Sequence, residues 1–206
     1  MSISSGLVGV IDYGAGNVSS VVHSLRRLGI RAVASSKCDA LKECDALIVP
    51  GVGAFPWAMA TLKDKGLDLL ICEMAASKRP VLGICLGMQL LCEASSELGS
   101  TKGLGLIPGE VCRLSGGDWH IGWNNIIPTS AESILTTPCG ASMYFNHSYE
   151  YNGDKHFVEA YARLGNRDVV AAIRNGNVWG LQFHPEKSQS AGLALLAKLI
   201  KTGDPA

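Results

Sequence analysis

The sequence predicts an α/β fold: a central, mostly parallel sheet flanked by helices, followed by a β-rich second half. Between Leu7 and Glu93, short apolar runs alternate with stretches of helical periodicity, the pattern of crossovers that join parallel strands. After Glu97 the helical spacing gives way to brief segments of β character separated by Gly, Pro, Asn and Asp. One stretch, residues 80–93, passes from a buried strand into a helix through a single residue, Cys85.

Taken in order, Leu7–Ile11 reads as the first strand. After the loop at 12–17 comes a helix whose Val18, Val21, Val22, Leu25 and Leu28 share one face and which Gly29 ends. Gly14 and Gly16 give the first half of G-x-G-x-x-G. Ser19 takes the third position, and Ser35-Ser36-Lys37 offers no acidic ribose ligand, which argues against a dinucleotide site. Residues 31–34 form a second strand and Ala46–Val49 a third, which runs into Pro50-Gly51-Val52-Gly53. Two helical segments follow, at 57–62 and Leu67–Ala76, with Gly66 between them and their aromatic and Met residues expected in the core. Val81–Ile84 is the strand that delivers Cys85. Farther on, 110–114, 123–127, 142–149, 156–162 and 169–173 read as strands. Asn175-Gly176 signals a hairpin whose second arm, 178–183, delivers His184. A last helix is expected to bury Leu193, Leu196, Ala197 and Ile200.

A length of 206 residues suits one domain spanning 1–206. Equal numbers of acidic and basic residues, 18 each, leave no footprint for nucleic acid and no charged tail. Seven cysteines without a C-x-x-C pair suggest neither a zinc site nor a disulfide framework, and fit a reducing cytoplasm. Residues 1–6 lack the parts of a signal peptide, and no apolar run approaches a membrane span, so no membrane association is expected. Nothing in the composition asks for a cofactor.

Gly83 and Gly87 flank Cys85 where a strand that reverses sharply into a helix leaves no room for a Cβ. This is a nucleophile elbow carrying sulfur. A thiol at a helix N-terminus meets the positive end of the backbone dipole, which favours the reactive thiolate, and the Leu86 amide would face a developing oxyanion. Such a nucleophile needs a base, and the base needs an orienting partner. Of five histidines, His23 falls in a helix and His156 at a strand start, but His184 ends a strand and is followed by Pro185, which fixes the direction of Glu186. The loop at 50–53 leaves the sheet at the same carboxyl edge as Cys85, where ligands bind in parallel sheets.

Gly83-Ile84-Cys85-Leu86-Gly87-Met88-Gln89, with Gln182-Phe183-His184-Pro185-Glu186-Lys187-Ser188, resembles the triad segments of class I glutamine amidotransferases. Residues 11–17, 50–55 and 120–124 are further similar to the glutaminase subunits of imidazole glycerol phosphate synthases. The resemblance implies a flavodoxin-like fold and hydrolysis of L-glutamine to glutamate and ammonia, with Cys85 as nucleophile, His184 as acid and base, and Glu186 orienting His184. It implies oxyanion donors at Leu86 and in the loop at Val52 and Gly53. It places Gln89, Glu97, His147, Ser148 and Tyr149 around the glutamine. It also implies a separate (β/α)8-barrel cyclase subunit that receives the ammonia, since this chain is shorter than the roughly 250 residues of such a barrel. Asn17, His120, Trp123, Asn124 and Lys187 match positions at or near that interface.

Trp119 and Asn146 stand where the family usually has proline and valine, and the connection at 115–118 looks short, so the departures fall on the expected docking surface. Two rival readings share the fold. One is a paralogous glutaminase serving another synthase, such as one that amidates surface sugars. The other is a non-catalytic binding subunit, against which the intact Cys85, His184 and Glu186 argue.

Overall fold

The computed structural model describes residues 6–115, 119–138 and 141–201. The first half runs β1 (Leu7–Ile11), α1 (Val18–Arg27), β2 (Arg31–Ser35), α2 (Cys38–Lys42), β3 (Ala46–Val49), α3 (Phe55–Asp64), α4 (Leu67–Ala76), β4 (Val81–Ile84) and α5 (Leu86–Leu90). The second half contributes β5 (Cys92–Ser95), β6 (Thr101–Lys102), β7 (Ile107–Arg113), β8 (His120–Asn124), β9 (Ile126–Pro128), β10 (Met143–His147), β11 (Tyr149–Asn152), β12 (Val158–Leu164), β13 (Arg167–Asn175), β14 (Val178–Leu181) and α6 (Gln189–Lys201).

The large sheet has the order β2-β1-β3-β4-β14-β13-β12-β9. Its first five strands are parallel; helical crossovers join β1 to β4, while β14 returns alongside β4 only after the β-rich half. The β13–β14 hairpin then turns the sheet antiparallel, with Asn175 opposite Val178 and Gly176 at φ +59° in the turn. Because β14 lies parallel to β4, with Leu181 opposite Ile84, the residues after both strands leave the sheet side by side. That register brings a late part of the chain to Cys85.

Both faces of the sheet are covered, so successive strand residues go to opposite cores. Ile11, Val49 and Val81 pack with Phe55, Met59 and Met74 on one face, while Val10, Ile48, Leu82 and Ile84 pack with Val21, Leu25 and Leu196 on the other. Each such side chain, fully buried, contributes about 1.5–3 kcal/mol over leaving it in water.

Several expectations from sequence are revised. Helix α2 and strand β5 were not legible, and segment 123–127 divides between β8 and β9, which lie in different sheets. Segment 142–149 likewise divides between β10 and the start of β11. His156 sits in a 3₁₀ turn, Lys155–Phe157, rather than at the start of a strand. Trp57 is half exposed, not core, although Phe55 and Met59 are buried beside it. In α6, Leu196 and Ile200 are buried as expected, but Leu193 and Ala197 are only half-buried, and Leu195 and Leu199 complete the inward face instead. Residues 1–5, and 116–118 of the connection thought short, lie outside the described residues. Among the described residues, no helix is long and apolar enough to cross a membrane.

Candidate active site

Cys85 occupies a backbone conformation that L-residues rarely adopt, φ 55° and ψ −110°. The Cys85 N–H donates to the Leu181 carbonyl at 2.7 Å, and the Gln89 N–H to the Cys85 carbonyl at 3.3 Å, which holds the turn on both sides. The flanking glycines are steric requirements. A Cβ on Gly83 would lie 2.5 Å from the Gly87 carbonyl oxygen, and one on Gly87 only 1.7 Å from that of Val49. Helix α5 spans five residues before the chain turns into β5, so its dipole is that of a single turn and a half.

His184 is buried, and an isolated antiparallel bridge to β10 fixes its backbone, with its N–H donating to the Tyr144 carbonyl at 2.8 Å. Its Nδ1 lies 2.8 Å from the Glu186 carboxylate, while its Nε2 is buried without a hydrogen-bond partner among the described residues. Burial pulls the imidazole pKa down, but the neighbouring Cys85 sulfur and the Glu186 carboxylate outweigh it and raise the value to about 9. The same Glu186 oxygen accepts from the Asn17 amide. Asn17, expected at a partner surface, therefore also reaches into the support of His184.

Cys85 and His184 line one cleft of about 270 Å³ together with Val52, Gly53, Leu86, Gln89, Glu97, Trp119, Asn146, His147, Ser148 and Tyr149. The structure thus gathers Cys85, His184, the oxyanion candidates and all five residues expected around glutamine. The loop between β3 and α3 is anchored at both ends: the Tyr13 hydroxyl donates to the Pro50 carbonyl at 3.0 Å, and the Phe55 N–H donates to the Glu97 carboxylate at 2.7 Å. Its apex is free by comparison, with Val52 43% exposed and Gly53 at φ +109°.

Beside the cleft runs a chain of neutral hydrogen bonds. His147 Nδ1 lies 2.8 Å from the Tyr149 carbonyl, which can only accept, so Nδ1 carries the proton and Nε2 is an acceptor. That Nε2 is 3.0 Å from His120 Nδ1, which must then donate. His120 Nε2 accepts from the Asn124 amide at 3.0 Å, and the same amide donates to the Arg163 carbonyl at 2.6 Å. Burial, with the Arg167 charge, takes His120 down to about 4. Burial outweighs the hydrogen bond to Tyr149, and nearby His120, His184 and Arg167 assist, so His147 falls to about 3.

Of the residues expected at the partner surface, His120 is buried and bonded inward, and Asn124 is half-buried. Trp123 is half exposed and Lys187 is exposed, its ammonium 5.8 Å from the centre of the Tyr144 ring. Two residues that sequence reasoning missed stand out. Tyr13 holds the loop at Pro50, and the fully buried Gln182 places its amide against the Cys85 sulfur. A signal for Gln182 existed: two residues before His184 on an extended segment, it leaves the strand on the same side.

An elbow cysteine, a carboxylate-held histidine and a polar cleft thus lie together at the carboxyl edge of a parallel sheet, and the chain belongs to the class-I glutamine amidotransferase family, which it matches over residues 9–201. Within that family it is a glutamine amidotransferase subunit of the HisH type. It is 43% identical to the imidazole glycerol phosphate synthase subunit HisH of Bacillus subtilis, over 95% of this chain and 96% of that one. It is 44% identical to the subunit of the same name from Carboxydothermus hydrogenoformans, over 92% and 96%. Among solved structures, PurLQS from Thermotoga maritima shares the fold with a TM-score of 0.74 at 20% identity, over 97% of this chain and 98% of that one. A structure described as a glutamine amidotransferase gives 0.71 at 23% identity, over 94% and 99%.

Proposed function

We propose that this chain hydrolyses L-glutamine with Cys85 as nucleophile, His184 as acid and base, and Glu186 as the group that orients His184. The ammonia passes to a (β/α)8-barrel cyclase on a separate chain, which makes imidazole glycerol phosphate and AICAR in histidine biosynthesis. The observation that carries the chemistry is His184, held at Nδ1 by Glu186 with its other nitrogen unpartnered among the described residues, in the cleft that Cys85 also lines. The names of the relatives, each a synthase subunit, support the partner.

The Cys85 sulfur attacks the carboxamide carbon, and the carbonyl oxygen becomes an oxyanion received by the amides of Leu86 and of the Val52–Gly53 loop. As the C–N bond breaks, the His184 imidazolium gives its proton to the departing ammonia. Water, deprotonated by His184, then attacks the thioester, and glutamate leaves with the thiol restored. Glu97, Ser148 and Tyr149 line the space for the amino acid. Both Gln89 N–H groups are taken, by Tyr149 and Gln182, so Gln89 offers glutamine an acceptor oxygen. Both ring nitrogens of His147 are committed, and its part is to hold the 147–149 backbone.

Cys85→Ala is expected to lower glutamine turnover by roughly a thousandfold or more while leaving the circular dichroism spectrum and melting point close to those of the parent. Turnover retained in the folded variant would remove Cys85 from the reaction.

A further inference from the structure

Gln182 is fully buried at the end of β14, in register beside Cys85 because Leu181 pairs with Ile84 across two parallel strands. Its amide orientation is assigned by its neighbours. Gln89 Nε2, which can only donate, lies 3.2 Å from Gln182 Oε1, so the other end of the amide must be the NH₂ group. That NH₂ group is 3.9 Å from the Cys85 sulfur. The Asn146 carbonyl also lies 3.7 Å from the sulfur, an acceptor that suits the S–H form. The sulfur thus has a fixed acceptor and a fixed donor within reach, and His184 lines the same cleft.

We propose that Gln182 is a further catalytic residue: its side-chain amide donates to the Cys85 sulfur and stabilises the thiolate that attacks glutamine. The proposal rests on the thiol mechanism above. In the thiolate form, with the proton held on His184, the Asn146 carbonyl has no donor and the Gln182 N–H has a charged acceptor, so the contact is stronger to the nucleophile than to the thiol. A neutral amide suits this task beside His184. It favours the anion without competing for the imidazole proton, whereas a carboxylate in its place would repel the sulfur and draw that proton. The Gln89 bond at the far end keeps the amide from turning over, which ties a residue of the glutamine pocket to the orientation of the donor.

Two substitutions separate this role from simple packing. Gln182→Met removes both ends of the amide, while Gln182→Glu keeps an oxygen for Gln89 and replaces only the end that faces sulfur. Each is measured for kcat, for KM, and for the rate of Cys85 alkylation by iodoacetamide at about pH 7.5, a rate that reports the thiolate. Both variants should lose roughly tenfold or more in kcat and in alkylation rate, the scale of one hydrogen bond to a charged acceptor, with KM changed about twofold or less. Parental kcat and alkylation rate in Gln182→Glu would overturn the proposal, because Gln182 would then serve only to hold Gln89. If Gln182→Glu fails to fold, a parental Cys85 alkylation rate in Gln182→Met overturns the proposal by itself, because that variant leaves no amide donor facing the sulfur. Cys85→Ala, run alongside, separates the two failures: full turnover there sinks the thiol mechanism itself, whereas an inactive Cys85→Ala beside unimpaired Gln182 variants sinks only the role of Gln182.

Discussion

Three buried imidazoles close to one another sit on opposite sides of the ordinary histidine range, and their partners explain why. His184 has a carboxylate on Nδ1 and a sulfur nearby, so its charged form is favoured despite burial. His120 and His147 have each other, a carbonyl and an amide, all satisfied by neutral rings, so burial prevails. The consequences for stability have opposite signs. The folded pKa of His184, about 9, lies above its unfolded value, so its contribution is complete below about 6.5 and is lost as pH rises through about 9. The folded values of His120 and His147, about 4 and about 3, lie below theirs, so their contribution is complete above about 6.5 and is lost as pH falls towards those values. Imidazole NMR signals should therefore show His147 and His120 still neutral at about pH 5 and His184 still protonated at about pH 8. A His147 titration near 6.5 would break the assigned chain of tautomers.

The elbow is the element on which the site is built, and it was legible because its demands are local: a strand, a residue at positive φ, a short helix, and glycine wherever the turn folds onto itself. The structure gives those demands a magnitude that can be measured against an ordinary glycine. Gly87→Ala forces a Cβ to 1.7 Å from the Val49 oxygen and should cost roughly 3 kcal/mol or more in denaturant unfolding. Gly29→Ala, at φ +71° with open space around it, should cost only about 1 kcal/mol. Equal midpoints for the two would mean that the elbow relaxes freely. Other elements were harder to read for physical reasons. Strand β5 is four residues long and follows α5 almost at once, so no periodicity has room to declare itself. Segment 142–149 is continuous in β character, and its division between β10 and β11, in two different sheets, follows from which strands lie alongside.

The whole molecule presents one side of β8 to solvent. Trp119, just before it, and Ile121 and Trp123 within it are half to nearly two-thirds exposed, and Trp123 lies edge-on to Tyr144. An exposed apolar strip of this kind suits a docking surface for a partner subunit. On the proposed function, Ile121→Lys should raise the cyclase concentration needed for half-maximal stimulation of glutamine turnover by roughly tenfold or more. An unchanged titration would move the docking surface elsewhere. The interior link from this strip to the site is the Asn124–His120–His147 chain, and it could not be read from sequence, where His120 matches a position at or near the partner interface. The sequence by itself determined the α/β class, the elbow at Cys85, and the pairing of His184 with Glu186, because each depends on neighbours within a few positions. Only the tertiary structure decided that the Gln182 amide meets the Cys85 sulfur, that Asn17 shares the Glu186 oxygen, and that Tyr13 anchors the Pro50 loop. Those contacts join residues 97, 169 and 37 positions apart, and they arise from strand register and sheet order, which no local pattern encodes.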